Sequence, residues 1–325
     1  MDLSRRDFTI NTLAISLNQE AYGELLDYYG GQRDIDDKAI RVLHNLSFVE
    51  DPTRVFRAVR FEQRLGFQIG KQTEHLLNSA VRLGLLDNVS GKRIFTELYL
   101  ILNEHRPLPA ITRLAKLNVL SRLHPALSKK VDYARSFDEA RRAMDWYDLL
   151  YTGQPCERWL CYFLVCTSVL DRSGIRSLCD RLQIMPRYRD IMIEQRSAAL
   201  GILRQLERRK PGTQPRNSSL YRWFQPLSTE VLLLMMARAS RESVRQWISR
   251  YITHLRTVQP LLTGHDLEAL GFPAGPLFRT ILDDLLGARL DNRVVTLDDE
   301  RAYVLRKYGK EIKRREVRGG RREKS

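Results

Sequence analysis

The sequence predicts a mostly α-helical protein with a small α/β segment at its N-terminus, and three observations carry that prediction. Strand-like runs are confined to the first fifth of the chain, apolar spacings of three and four dominate beyond Asp51, and helix-start signals recur to the C-terminus. With 325 residues, 43% hydrophobic and 29% charged, the chain is long enough for two or three domains and too apolar to be chiefly disordered. The longest uncharged apolar run, Trp159 to Leu170, falls short of the roughly 18 to 20 residues that a membrane span requires. Met1 to Arg6 lack the apolar stretch of a signal peptide, so a cytoplasmic location is expected.

In order along the chain, Glu24 to Tyr29 and Ala39 to Leu43 read as two short strands, with Gly30-Gly31-Gln32-Arg33-Asp34 as the turn between them. Asp51-Pro52 reads as an N-cap followed by proline at the first helical position. Ser136-Phe137-Asp138-Glu139 has the form of a capping box opening another helix. Breaks in composition at His105 to Pro109 and Arg208 to Ser219 are the linker candidates. Ser228 and Thr296 are expected to cap helices, Thr263 to lead into a short one ended by Gly271, and Pro276 to Leu286 to form another. The expected divisions are 1–48, 49–130, 131–212 and 213–325. Cys156, Cys161, Cys166 and Cys179 contain no CxxC pair and read as reduced core residues, with no zinc site.

The net charge is +15, and ten basic against three acidic residues fall between Val304 and Ser325. That basic arm, with Arg306, Lys307, Lys310, Lys313, Arg314, Arg315 and Arg318, points to a polyanionic partner, because each phosphate neutralised releases counterions. Nucleic acid is the leading candidate and an anionic membrane surface the second; a solubilising tail is the plain alternative.

Two further clusters could carry chemistry. Leu3-Ser4-Arg5-Arg6-Asp7-Phe8-Thr9-Ile10-Asn11 combines guanidinium groups suited to phosphate oxygens with a carboxylate able to accept from ribose hydroxyls. By composition alone it is an exposed charged group before a helix. In Glu50-Asp51-Pro52-Thr53-Arg54-Val55-Phe56-Arg57, Asp51 and Arg54 are three apart and could present an acceptor and a planar donor together to a base edge. A simple helix start accounts for the same residues, and the two readings are compatible. Asp34-Ile35-Asp36 could pair carboxylates for a metal, but its place beside two glycines reads as a solvated acidic turn.

Taken in order, LSRRDFTIN at Leu3 to Asn11, LLDYYGGQRDIDDKAIRVL at Leu25 to Leu43, EDPTRVFRAVRF at Glu50 to Phe61 and GKRIFTELYLIL at Gly91 to Leu102 resemble the class II tRNA nucleotidyltransferase and bacterial poly(A) polymerase family. TGHDLEALGFPAGPLFRTILDDLL at Thr263 to Leu286 is similar to the family's distal tail, so the resemblance covers nearly the whole chain. It implies a partial nucleotidyltransferase head followed by helical neck, body and tail, and untemplated addition of ATP, with CTP a further candidate, to the 3′ end of tRNA or another RNA. It implies that Arg6 and Asp7 hold ribose and phosphates with Arg5 and Asn11 in support, that Arg57 lies near the triphosphate, and that Asp51 and Arg54, beside Glu50, read the base. In the family a Gly-Gly loop and a DxD pair precede the first motif and hold Mg²⁺. This chain begins at Met1 just before that motif, so the ion's ligands are expected outside it, in a missing or separate head segment. On that expectation the chain is the nucleotide-selecting and RNA-holding portion of such an enzyme. A noncatalytic RNA-binding module on the same scaffold is the alternative.

Overall fold

In the computed structural model, residues 3–127, 132–210 and 212–319 are described, with side chains as far as residue 310. Short pieces dominate the N-terminus. β1 (Ala14–Ile15) pairs antiparallel with β2 (Leu25–Leu26), α1 (Gly31–Asp36) follows, and β3 (Ala39–Ile40) pairs parallel with β4 (Gln68–Ile69). The two expected strands therefore belong to different sheets, and the expected turn between them is a helix. Its cause is Asp27, whose carboxylate accepts from the Gly31 and Gln32 amides at 2.8 and 3.0 Å and satisfies the first turn from outside. Gly31 is required there, since a Cβ would stand 2.4 Å from the Thr9 carbonyl oxygen.

Helices then take over: α2 (Ser47–Glu50), α3 (Arg54–Leu65), α4 (Lys71–Arg82), α5 (Gly91–Leu102), α6 (Pro107–Lys116) and α7 (Val119–Leu123). α3 buries Val55, Phe56, Ala58 and Val59, a stripe at helical spacing whose burial drives this region together. α5 begins at a backbone contact so close that a Cβ on Gly91 would lie 1.9 Å from the Arg181 carbonyl oxygen. α8 (Tyr133–Asp148) starts earlier than the capping box suggested. Asp132 caps it by accepting from the Ala134 amide, and Ser136 lies inside the helix. α9 (Arg158–Cys166), α10 (Arg172–Arg181), α11 (Pro186–Asp190), a π-helical turn at Ile191–Gln195 and α12 (Arg196–Glu207) follow. Arg196 is buried and donates to the Thr167 and Leu170 carbonyls beyond α9 at 3.1 and 2.7 Å; burial pushes its guanidinium down to about 10.

The remaining helices are α13 (Asn217–Phe224), α14 (Thr229–Arg238), α15 (Glu242–Thr253), α16 (Gly264–Ala269), α17 (Pro276–Leu290) and α18 (Leu297–Gly319). Thr263 forms a reciprocal capping box with Asp266, and the Thr296 hydroxyl accepts from the Asp299 amide, as the sequence indicates. The chain divides into two units, Met1–Ala198 with Thr229–Arg238, and Ala199–Ser228 with Ala239–Ser325. α14 thus belongs to the first, where Val231 to Met235 are all buried and the helix packs on α8 and α9. The core of the second includes Leu267, Phe272, Ile281, Leu285 and Val304. There the buried Glu300 accepts from the Leu261 and Leu262 amides and from Arg289 at 2.8 to 3.1 Å. All four cysteines are free and buried. Among the described residues, no helix is long and apolar enough to cross a membrane.

Candidate nucleotide and RNA site

Three distant stretches converge beside α3. Phe8, fully buried, meets Phe61 edge to face with centroids 5.8 Å apart, and this anchors the preceding carboxylate against the helix. Asp7 Oδ1 accepts from the Phe8 amide (3.0 Å) and Asn11 Nδ2 (2.8 Å), while Oδ2 receives Arg57 Nε and Nη2, each at 2.6 Å. Four donors fill a carboxylate. Arg57 Nη1 in turn lies 3.5 Å from Glu97 Oε1, and Arg60 reaches Glu97 at 4.0 Å and Glu104 at 3.7 Å. Both guanidinium groups stand over the Phe61 ring.

Burial opposes the charge on Arg57, but Asp7 and Glu97 outweigh it and hold its pKa above the ordinary value. For Glu97 the balance reverses. Burial raises its pKa more than Arg57 and Arg60 lower it. Glu97 Oε2 and Arg60 Nε are buried without a hydrogen-bond partner among the described residues. Glu97 and Arg93, four apart on α5, were not singled out in the sequence; their i,i+4 spacing inside GKRIFTELYLIL was the available signal.

Asp51 and Arg54 do not present one joint fork. Asp51 Oδ1 takes the Thr53 amide (3.0 Å) and hydroxyl (2.6 Å), capping the turn just ahead of α3, which begins at Arg54 and not at Pro52. Its Oδ2 takes Arg93 Nη2 at 2.8 Å. Arg54 is buried, donating to the Ser47 hydroxyl (2.6 Å), the Ser47 carbonyl (3.2 Å) and the Arg5 carbonyl (3.1 Å), with Glu50 at 3.8 Å. Arg54 therefore ties the LSRRD segment to the EDPTR segment, while Arg5, Arg6 and Glu50 are exposed at the surface.

The acidic pair splits. Asp34 is buried, accepts from Thr9 Oγ1 and pairs with Arg41, whereas Asp36 is exposed. Among the described residues no cluster of three His, Cys, Asp or Glu could hold a metal ion, and Asp7 and Asp34 are taken up by Arg, Asn and Thr donors. These residues do not fit the expected Mg²⁺.

In the second unit, Lys307 is tied to Asp284 at 2.7 Å, and Arg306 lies over the Tyr303 ring at 5.8 Å. Lys310 is exposed; the side chains of Lys313, Arg314, Arg315 and Arg318 lie outside the described residues.

Comparison with known proteins bears on the same segments. Residues 1–41 match the poly A polymerase head domain, and residues 66–131 match the probable RNA and SrmB-binding site of polymerase A. The chain is 47% identical over 307 residues to the A-adding tRNA nucleotidyltransferase of Geobacter sulfurreducens, covering 94% of this chain and 35% of that protein. It is 31% identical to the A-adding enzyme of Halalkalibacterium halodurans, with coverage of 86% and 62%. The chain thus spans about a third of the first relative and less than two thirds of the second. Among solved structures, a CCA-adding enzyme with CTP matches at a TM-score of 0.76 and 30% identity, over 94% of this chain and 71% of that one. The Thermotoga maritima CCA-adding enzyme complexed with tRNA matches at 0.70 and 31%, over 94% and 72%. Motifs, fold and relatives agree, and the chain belongs to the tRNA nucleotidyltransferase and poly(A) polymerase family.

Proposed function

We propose that this chain is the nucleotide-selecting and RNA-holding portion of an enzyme that transfers AMP from ATP, and as a further candidate CMP from CTP, to tRNA 3′ ends with release of pyrophosphate. The observation that carries the reading is the convergence of LSRRD, EDPTR and GKRIF on one charged network, Asp7–Arg57–Glu97 with Asp51–Arg93 beside it. Exposed Arg5 and Arg6 suit the phosphates and ribose of a nucleotide. Asp7, whose carboxylate is already filled, and Asn11, which donates to it, act through Arg57 by fixing its plane. Asp51 offers the acceptor for a base amino group once Arg93 gives way or shares it, and Arg54 supplies the donor from the floor of the site. Glu50 steadies Arg54. Lys307 braces the tail through Asp284, and Arg306 and Lys310, with Lys313, Arg314, Arg315 and Arg318, follow the RNA backbone. Mg²⁺ chemistry belongs to the complete enzyme, in which a head segment from elsewhere would supply the metal ligands.

The test is equilibrium binding of ATP, CTP, GTP and UTP to this chain, followed by ligand-detected NMR. Preference for ATP, or ATP and CTP, that disappears in Arg54→Ala supports the reading. Equal binding of all four to the wild-type chain defeats it.

A further inference from the structure

Between α5, α8, α9 and α11 of the first unit lies a cavity of about 930 Å³ that the site above does not use. Its inner rings are fixed. Trp159 is buried, and its indole N–H donates to Glu157 at 2.7 Å, a carboxylate that also takes the Tyr188 hydroxyl at 2.8 Å. Tyr99 meets Trp159 at a tilt, with centroids 5.3 Å apart, and remains 40% exposed on the cavity lining, so it is an aromatic ring held in place and still accessible.

The charges in the cavity sort themselves. Arg141 is held by Asp138 and Asp145, and Arg158 by Asp145 and Asp148. Arg187 is exposed, lies 4.4 Å from the Tyr188 ring centre and donates to its hydroxyl, and has no carboxylate partner among the described residues. Three arginines in the lining face three carboxylates, Glu104, Asp145 and Glu157, so the cavity does not concentrate a polyphosphate. One partly open ring and one guanidinium without a carboxylate partner among the described residues match a single base with a single phosphate.

We propose that this cavity receives one unpaired nucleotide of an RNA strand, with its base stacked on Tyr99 and its phosphate met by Arg187. The proposal rests on the reading of the chain as an RNA-holding protein. A free mononucleotide has the same chemistry, and the balance of three arginines against three carboxylates favours the strand, whose nucleotide brings one phosphodiester charge.

Fluorescence anisotropy with a labelled six-residue oligoadenylate, with AMP and ATP as competitors and tRNA as a separate ligand, tests it on the full chain. Tyr99→Leu should weaken oligoadenylate binding by about 5- to 100-fold, the range that stacking of one base supplies, while Tyr99→Phe stays near wild type. Arg187→Gln should weaken it by about 5-fold or more, the scale of one charge-assisted contact. Circular dichroism melting identifies any variant that misfolds, and the comparison of Phe with Leu at position 99 remains decisive if Arg187→Gln does. Oligoadenylate binding that is indifferent to Tyr99→Leu overturns the proposal. Millimolar-range AMP displacing the strand no better than ATP supports it, while AMP binding as tightly as the oligonucleotide overturns the strand in favour of a free-nucleotide site. Binding of tRNA without binding of oligoadenylate defeats the cavity alone; binding of neither defeats the functional reading with it.

Discussion

Two buried carboxylates, Glu97 beside α3 and Glu300 in the second unit, each face arginine, and they are treated differently. Glu300 accepts from two backbone amides and Arg289, all within 3.1 Å. Glu97 has Arg57 at 3.5 Å and Arg60 at 4.0 Å, and one of its oxygens lacks a hydrogen bond among the described residues. A carboxylate that secures a fold is saturated, because an unmet lone pair inside costs about 1 to 3 kcal/mol. On the proposed reading, the spare capacity at Glu97 would let the network rearrange when a nucleotide binds.

The largest effect should come from the saturated side. Glu300→Ala strands two amides and Arg289 together, and should cost about 3 to 5 kcal/mol in denaturant unfolding of the second unit while leaving nucleotide binding intact. Glu97→Gln should remain within about 1 kcal/mol of wild type near neutrality, because the charge it removes is one the fold disfavours. Its pH dependence gives the sign. A carboxylate with a raised folded-state pKa contributes stability that is full below the ordinary 4.5 and is lost as pH rises through the folded value. Melting temperatures from pH 4 to 7 should therefore move in favour of the Gln variant as pH increases, while its nucleotide affinity falls at pH 7 because Arg57 is no longer braced. Parallel pH profiles for the two proteins would show that Glu97 is not the group the network strains.

Asp51→Asn should change stability least, by under about 0.5 kcal/mol, since Asn caps a turn nearly as well as Asp. Selection of ATP over UTP and GTP should nevertheless fall, as an amide donor replaces an acceptor facing a base amino group. A lower melting temperature with unchanged selection would leave Asp51 as a helix-start residue only. Removal of residues 311–325 should leave melting unaltered and flatten the salt dependence of tRNA affinity, with a slope loss of about 0.7 to 0.9 per phosphate contact removed. An unchanged slope would assign that tail to solvent.

Much of the helical order was legible because it rests on local rules. The Thr263 and Thr296 caps and the boundary at Ser228 are short-range chemistry, read directly from residue type and spacing. Misreadings arose where a distant or displaced partner decided the outcome. Asp27 turns Gly30-Gly31 from a hairpin signal into a helix start, and Asp132 pre-empts the box at Ser136. At the site, the motifs were visible as strings, but their partners were not. That Arg54 bonds to the Arg5 carbonyl and Asp51 to Arg93, 42 positions away, is a property of folded α3 and α5, with no trace in spacing inside either motif.

The placement of α14 bears on how the protein can be made. Residues 229–238 complete the first unit, although the segments on either side of them belong to the second. A chain emerging during synthesis cannot close the apolar surface of α8 and α9 until about 90 residues after α8 has appeared, so those helices stay sticky through that interval. Truncation near residue 212 would make the same condition permanent and give an aggregating fragment, whereas a first-unit fragment extended through Arg238 would carry its own closing helix.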